Sequence, residues 1–212
     1  SQVMFFNCVI VIACMCAYGA ATEGKKAFRV LNLKGVLLRG ALSTVVSFCN
    51  IVALPHVTLA SFYTLIFTSP FWVAILAVPF LGEKLDARRM AVILLGFAVI
   101  LFIFRPGGGI FNFYTPFVLA SAFLYACSMI VMRRLGPKES RVSIIAIGSC
   151  VGLAVSAFFL PGNYITPTLY DWGLFTVMGV LGAIGVMSIA YAYHHAPSAS
   201  IVAPYHYTQI IW

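Results

Sequence analysis

Eight long apolar runs separated by short polar connectors set the pattern of this chain: Val3–Ala20, Val36–Leu54, Thr58–Leu81, Ala87–Phe104, Tyr114–Met132, Val142–Leu160, Trp172–Tyr193 and Ser198–Trp212. Each is roughly 15–24 residues long, near the ~20 that a helix needs to cross a bilayer. The runs are continuous rather than alternating, which excludes the ~10-residue strands of a membrane barrel. Threading them alternately sorts the basic residues into two sets. One set holds Lys25, Lys26, Arg29, Lys34, Arg39, Lys84, Arg88, Arg89, Arg133, Arg134, Lys138 and Arg141; the other holds only Arg105. The positive-inside rule places the first set in the cytoplasm. The pattern predicts an all-α integral membrane protein, a bundle of eight visible helices, multi-pass in the cell (inner, cytoplasmic) membrane.

The runs also repeat at an offset of about 140 residues. Val3–Ala20 matches Val142–Leu160, Val36–Leu54 matches Trp172–Tyr193, and Thr58–Trp72 matches Ser198–Trp212, with Thr58/Ser198, Thr68/Thr208 and Trp72/Trp212 in register. The same offset puts the partner of Tyr114–Met132 before Ser1 and that of Ala87–Phe104 after Trp212. The chain opens on Ser1 rather than Met and stops inside an apolar run, which reads as a fragment of a ten-helix parent. Its halves are residues 1–105, lacking a first helix, and 114–212, lacking a last. Five helices per half is an odd number, so the halves enter the membrane in opposite directions. Such inverted repeats are common in secondary transporters, which hold substrate between the halves near the midplane.

Composition agrees with this class. The 212 residues are 62% hydrophobic and 8% charged, too few charges to cover a soluble domain. The net charge of +8 lies at helix ends, where it sets topology and meets anionic lipid rather than nucleic acid. The six cysteines, Cys8, Cys14, Cys16, Cys49, Cys127 and Cys150, all fall inside apolar runs without a CxxC pair. They read as small packing residues, not as disulfides or metal ligands.

Two stretches then carry a resemblance. Gly82-Glu83-Lys84-Leu85 closes the third run, Arg88-Arg89 opens the next, and that run ends in Phe104-Arg105-Pro106-Gly107. Residues Ala196-Pro197-Ser198-Ala199-Ser200-Ile201-Val202-Ala203-Pro204-Tyr205-His206-Tyr207-Thr208-Gln209 form the second stretch. Together they resemble the EamA-type branch of the drug/metabolite transporter superfamily, from its second helix into its ninth. The resemblance implies a transporter. Asn7 departs from it, since many relatives carry an arginine near that point.

The chemistry-bearing residues narrow the function further. All five acids, Glu23, Glu83, Asp86, Glu139 and Asp171, lie in connectors or at helix ends, so no carboxylate relay is built into the runs. His56, His194, His195 and His206 form no HxxH or HxxxH pair, so no metal or other cofactor is implied. Gly107-Gly108-Gly109 reads as a turn. Glu83 reads as an ion-paired hinge beside Lys84 and Arg88. At 100° per residue, Ser61, Thr64, Thr68 and Trp72 fall within about 80° on one helix. Ser198, Tyr205, Thr208, Gln209 and Trp212 fall within about 100° on the matched one. Gln209 needs partners that lipid cannot supply. Tyr63, Tyr191 and Tyr193 add aromatic walls, and the absence of a buried carboxylate leaves His56 and His206 as the candidate titrating groups, or no coupling at all. Pro70 and Pro204 kink the same two helices beside the path. Gly148/Gly152 and Gly179, Gly182, Gly185 offer surfaces for close helix packing.

These features predict a secondary transporter, not an enzyme, that moves a small organic metabolite, an amino acid or a nucleoside-like solute, by alternating access. The partners are that solute and the lipid bilayer. A membrane-embedded lipid-modifying enzyme needs a carboxylate, a histidine cluster or a nucleophile–base pair at bilayer depth. A non-transporting membrane partner subunit is the other alternative, and flux in liposomes separates it. The threading itself is testable: a cysteine introduced at Lys26, Arg88 or Lys138 should be labelled from the cytoplasm only, and one at Asn112 or Asn163 from outside only. The reverse pattern rejects it.

Overall fold

The computed structural model of the chain describes residues 2–22, 24–84, 86–105, 112–136, 139–161 and 164–211, with the side chains of Lys25, Lys26 and residues 209–211 excluded. The expected turn at Gly107-Gly108-Gly109 therefore lies outside the described residues. Every regular element is helical: α1 (Gln2–Thr22), α2 (Leu33–Ala53), α3 (Leu59–Ile66), α4 (Ser69–Leu81), α5 (Ala87–Phe104), α6 (Thr115–Leu135), α7 (Arg141–Phe158), α8 (Leu169–His195) and α9 (Ala199–Val202). A 3-10 segment, Ala203–Ile211, follows α9. Among the described residues, seven spans are long and apolar enough to cross a membrane, α3 and α4 counting together as Leu59–Leu81.

Two of the expected runs differ from continuous helices, both at proline. The third run is broken after Ile66, and α4 restarts with Pro70 in its first turn. Pro70 has no N–H, and its ring opposes the carbonyl four residues back, which is that of Ile66. The eighth run is not one helix: a four-residue α-helix passes into the 3-10 segment that contains Pro204. Pro79, by contrast, sits inside α4.

The chain divides into two compact units, residues 1–44 with 135–194 and residues 45–134 with 195–212. Each unit thus draws on both sequence halves. In the first, α1 packs along α7, and Gly152 of α7 faces Met4 and Cys8. Gly148 meets Gly40 of α2 so closely that a Cβ on Gly40 would stand 2.8 Å from the Gly148 Cα. The Gly148/Gly152 pair is therefore a close-packing surface. Gly179 is packed against Ile10, but Gly185 faces open space, so only part of the second glycine surface is a contact. Cys16 and Cys150 are exposed rather than packed. At the start of α2, one Glu139 carboxylate oxygen accepts from the backbone N–H of Leu31, at 2.7 Å, and of Asn32. Asn32 in turn caps the helix, its Oδ1 accepting from the Gly35 N–H at 3.0 Å, one of the donors that every helix start leaves open.

In the second unit, Ala53, Val57, Phe62, Leu65 and Val118 form an apolar core, with Ile66, Tyr114 and Phe117 packed on it. His56 stacks on Tyr114 at 4.0 Å between ring centroids, and its carbonyl accepts from Asn112 Nδ2 at 2.9 Å. His56 is thus held in the turn after α2.

The glycine contacts give opposite signs for one chemical change. Gly→Ala normally stabilises a helix by roughly 0.5–1 kcal/mol. At Gly40 the new methyl would strike backbone, and overpacking typically costs about 1–3 kcal/mol. At Gly182 the nearest neighbour is Asn7 Nδ2 at an ordinary 3.7 Å. Thermal unfolding of the protein in detergent should show Gly40→Ala lowered and Gly182→Ala unchanged or raised; the reverse order refutes the packing assignment.

Candidate functional site

The predicted site residues do not share one cavity. Ser61 and Thr64 are buried on α3 and bonded locally: the Thr58 hydroxyl donates to Ser61 Oγ at 2.9 Å, and Thr64 donates to the Ala60 carbonyl at 2.8 Å. Tyr63 is exposed and stacks near Phe104. Thr68 and Trp72 line a cavity of about 300 Å³ with Phe71, Leu94, Phe97 and Leu119, although the Thr68 hydroxyl donates to the Leu65 carbonyl. Pro204, Tyr205 and Thr208 line a groove of about 450 Å³ beside α5. His206 lines a third cavity. Tyr191 belongs to the first unit, where the Arg141 guanidinium lies 5.0 Å from its ring, and Tyr193 is fully buried there. The side chain of Gln209 and all of Trp212 lie outside the described residues. The angular argument assumed unbroken helices; the breaks before Pro70 and at Ala203–Pro204 change the register on which those faces were drawn.

The His206 cavity holds about 260 Å³ and is lined by Val46 and Asn50 of α2, Ile66, Phe67 and Ser69 at the α3–α4 break, and Ser121, Ala122, Tyr125 and His206. Tyr125 is the middle residue of α6, so the cavity lies well inside the length of the spans. Tyr125 and His206 meet edge to face at 5.6 Å. Asn50 Oδ1 is buried and has no hydrogen-bond partner among the described residues. A buried acceptor left in this state is costly unless a ligand or water meets it. The cavity thus presents an amide, the Ser69 hydroxyl, the Ser121 hydroxyl that donates to the Val118 carbonyl at 2.8 Å, a phenol and an imidazole among apolar walls, the usual mixture in a small-molecule site.

Asn50, Ser69, Ser121 and Tyr125 were not among the predicted residues. A signal for Asn50 was present, since an amide inside an apolar run needs partners as Gln209 does. Ser121 and Tyr125, four apart, share a helix face. Arg39 was also misread. It is not a connector charge but a buried residue of α2, its Nη1 directed at the Ile144 carbonyl at 3.4 Å.

A polar cluster ties the start of α9 to α4, α5 and α6. Gly82 ends α4 with φ 67, a left-handed value natural to glycine. The chain then places the Glu83 carboxylate at the start of α9, where it accepts from the N–H of Ala199 at 2.7 Å and of Ser200 at 3.4 Å. Arg89 Nη1 donates to the hydroxyls of Ser198 at 3.0 Å and Ser200 at 3.2 Å. Arg133 Nη2 donates to the Pro197 carbonyl at 3.1 Å. Glu83 is therefore a cap for α9 rather than a hinge paired with Lys84 and Arg88.

Residues 1–105 match the EamA-like transporter family. The chain is 26% identical over 207 residues to the S-adenosylmethionine uptake transporter of Rickettsia bellii, covering 98% of this chain and 69% of the relative. It is 28% identical over 187 residues to the pseudopaline exporter of Pseudomonas aeruginosa, covering 86% and 66%, and 27% identical over 194 residues to the riboflavin transporter of Brucella anthropi, covering 86% and 68%. The chain thus spans about two thirds of the length of these relatives. A solved crystal structure, 18% identical, aligns over 99% of this chain and 76% of its own at a TM-score of 0.77, which shows the same fold.

The Glu83 assignment separates two substitutions. Hydrogen bonds to a charged group contribute about 1.5–3 kcal/mol, whereas exposed ion pairs contribute about 0–1. Glu83→Ala should lower the unfolding temperature well beyond Lys84→Ala or Arg88→Ala; equal losses in all three would restore the ion-pair reading.

Proposed function

We propose that this chain, whose residues 1–105 match the EamA-like transporter family, is an EamA-type member of the drug/metabolite transporter superfamily and moves a small organic metabolite across the cytoplasmic membrane by alternating access, with the His206 cavity as its binding site. The observation that carries this reading is the interrupted helix. Irregular backbone at membrane depth is tolerated where it lines a cavity or is buried in protein, and transporters commonly bind substrate at broken helices. Here Ile66, Phe67 and Ser69, on either side of the α3–α4 break, line the same cavity as Asn50 and His206. Pro70 and Pro204 are then bends beside the path.

The solute class is an amino acid or nucleoside-like metabolite. The Tyr125 and His206 rings suit a flat or apolar part, and the Asn50 oxygen suits an N–H or O–H donor. Relatives named for S-adenosylmethionine, which joins an amino acid to a nucleoside, and for riboflavin support this class. One relative is named for uptake and another for export, so direction is not a property of the fold. The activity is transport without a catalytic step. The halves 1–105 and 114–212 act as the inverted repeats of a ten-helix protein. Glu83 and Arg89 lie in one half and residues 198–200 in the other, so rocking of the halves breaks their contacts. The cluster is the closed cytoplasmic gate.

Asn50→Ala should cut uptake by full-length protein in liposomes about tenfold, the worth of roughly 1.4 kcal/mol, with membrane abundance near normal. Ile93→Ala, a fully buried packing change on α5, should instead lower abundance, since such voids typically cost about 2–5 kcal/mol. Trp72→Ala, in the separate cavity, should affect uptake less than Asn50→Ala. Normal uptake by Asn50→Ala would falsify the site.

A further inference from the structure

We propose that the groove between α5 and the α9 segment is a binding site for an anionic phospholipid, its phosphate held by Arg88 and Arg89 and an acyl chain lying below. The groove holds about 450 Å³. Arg88, Arg89, Ser200 and Thr208 supply its polar lining, and Val92, Ile201, Pro204 and Tyr205 its apolar walls. Val92 and Tyr205 are 53% and 69% exposed, so the groove is open along its apolar length. Val92 lies one turn along α5 from Arg88, on the same face.

The start of α5 supplies an independent argument. A helix N-terminus carries partial positive charge and open N–H donors, and it favours acidic residues or bound anions. The first turn of α5 instead contains no acid, and Asp86, at its N-cap, makes no side-chain capping bond. Arg88 and Arg89 stand in that first turn, so two cations oppose the dipole. A phosphate here would meet both guanidinium groups and the open N–H donors at once. The neighbouring charges do not cancel this field. Lys84, Arg88 and Arg89 outnumber Glu83 and Asp86 by one charge, and the Glu83 carboxylate is turned to the N–H groups of Ala199 and Ser200. The two bonds from Arg89 to Ser198 and Ser200 both use Nη1, leaving the other edge of its fork for the phosphate. A free phosphorylated solute has no use for the apolar length of the groove. A lipid uses both ends, at the depth where a membrane helix starts.

The test is lipid titration of delipidated full-length protein in detergent, read by native mass spectrometry, with phosphatidylglycerol and phosphatidylcholine of identical acyl chains. Binding is read without transport, so it stands apart from the uptake assay. Phosphatidylglycerol should bind at least fivefold more tightly. Arg88→Gln should weaken it about fivefold, the scale of one basic residue near an anionic lipid surface. Val92→Trp, which fills the groove without changing charge, should weaken both lipids, and Lys84→Gln should change little. Equal binding of the two lipids overturns the proposal, as does wild-type binding by Arg88→Gln. Wild-type binding by Val92→Trp, or a loss in Lys84→Gln equal to that in Arg88→Gln, shows surface charge alone and also overturns it. Displacement of phosphatidylglycerol by millimolar glycerol 3-phosphate would assign the groove to a free phosphate ester and overturn it as well.

Discussion

The constraint on which this structure depends is that lipid offers the backbone no hydrogen-bond partner. Each N–H and C=O inside the membrane must be satisfied within the protein, which is why the apolar runs become helices. Helices meet this condition everywhere except at their ends and at prolines. The informative places are therefore the interruptions. After Ile66 the chain loses a donor to Pro70, and the residues around the break turn toward a cavity that also contains Asn50, Tyr125 and His206. An opening that would be intolerable against lipid is tolerable beside a polar pocket. The same pocket is where a solute can be held.

Helix ends meet the constraint by a different means. The two residues that lead into α2 and the start of α9 are held by carboxylates from elsewhere in the chain, Glu139 and Glu83. Each fixes a helix start to a connector distant in sequence, by 108 and 116 residues respectively. A local cap such as Ser140 at α7 does the electrostatic work without that tie. The long-range caps therefore position helices as well as satisfying donors. At α9 the consequence is mechanical, because the capped segment is short and is followed by irregular chain. Its attachment to α4, α5 and α6 rests on side-chain bonds that a modest movement can break. Gly40 and Gly148 are the opposite case: their backbones touch, and no side chain can rearrange to let them slide.

Much of the fold was legible in the sequence because hydrophobic length is a strong signal. Ala87–Phe104 is a single helix at its expected ends, and the other spans shift by a few residues. The breaks were only half legible. Proline marked the positions at Pro70 and Pro204, but Pro79 remains within α4, so proline alone does not tell a bend from a break. The site was less legible, for a related reason. Projecting residues on a helical wheel presumes an unbroken helix, and Ser61 and Trp72 lie on opposite sides of a break. Ser61 and Thr64 also spend their hydroxyls locally, which residue type does not reveal. Arg39 was counted with the connectors because its charge was read before its position inside α2. Asn50 was within reach of the rule applied to Gln209, that an amide in an apolar run requires a partner.

The polar groups of the His206 cavity are an amide, hydroxyls, a phenol and an imidazole, and the five carboxylates of the chain lie in connectors or at helix ends. A site of that kind binds through directional hydrogen bonds and ring contacts rather than through a fixed buried anion. It suits solutes that differ in charge but share donors and a flat part, since no carboxylate has to be neutralised when the solute leaves. Glu83, Lys84, Asp86, Arg88 and Arg89 stand instead between the end of α4 and the first turn of α5, with Glu83 and Arg89 bonded to the start of α9. With the His206 cavity proposed as the site and the Glu83 cluster as the gate, recognition and gating would use different chemistry. Substitutions in the cavity would then alter the solute without disturbing the charged cluster at the start of α9.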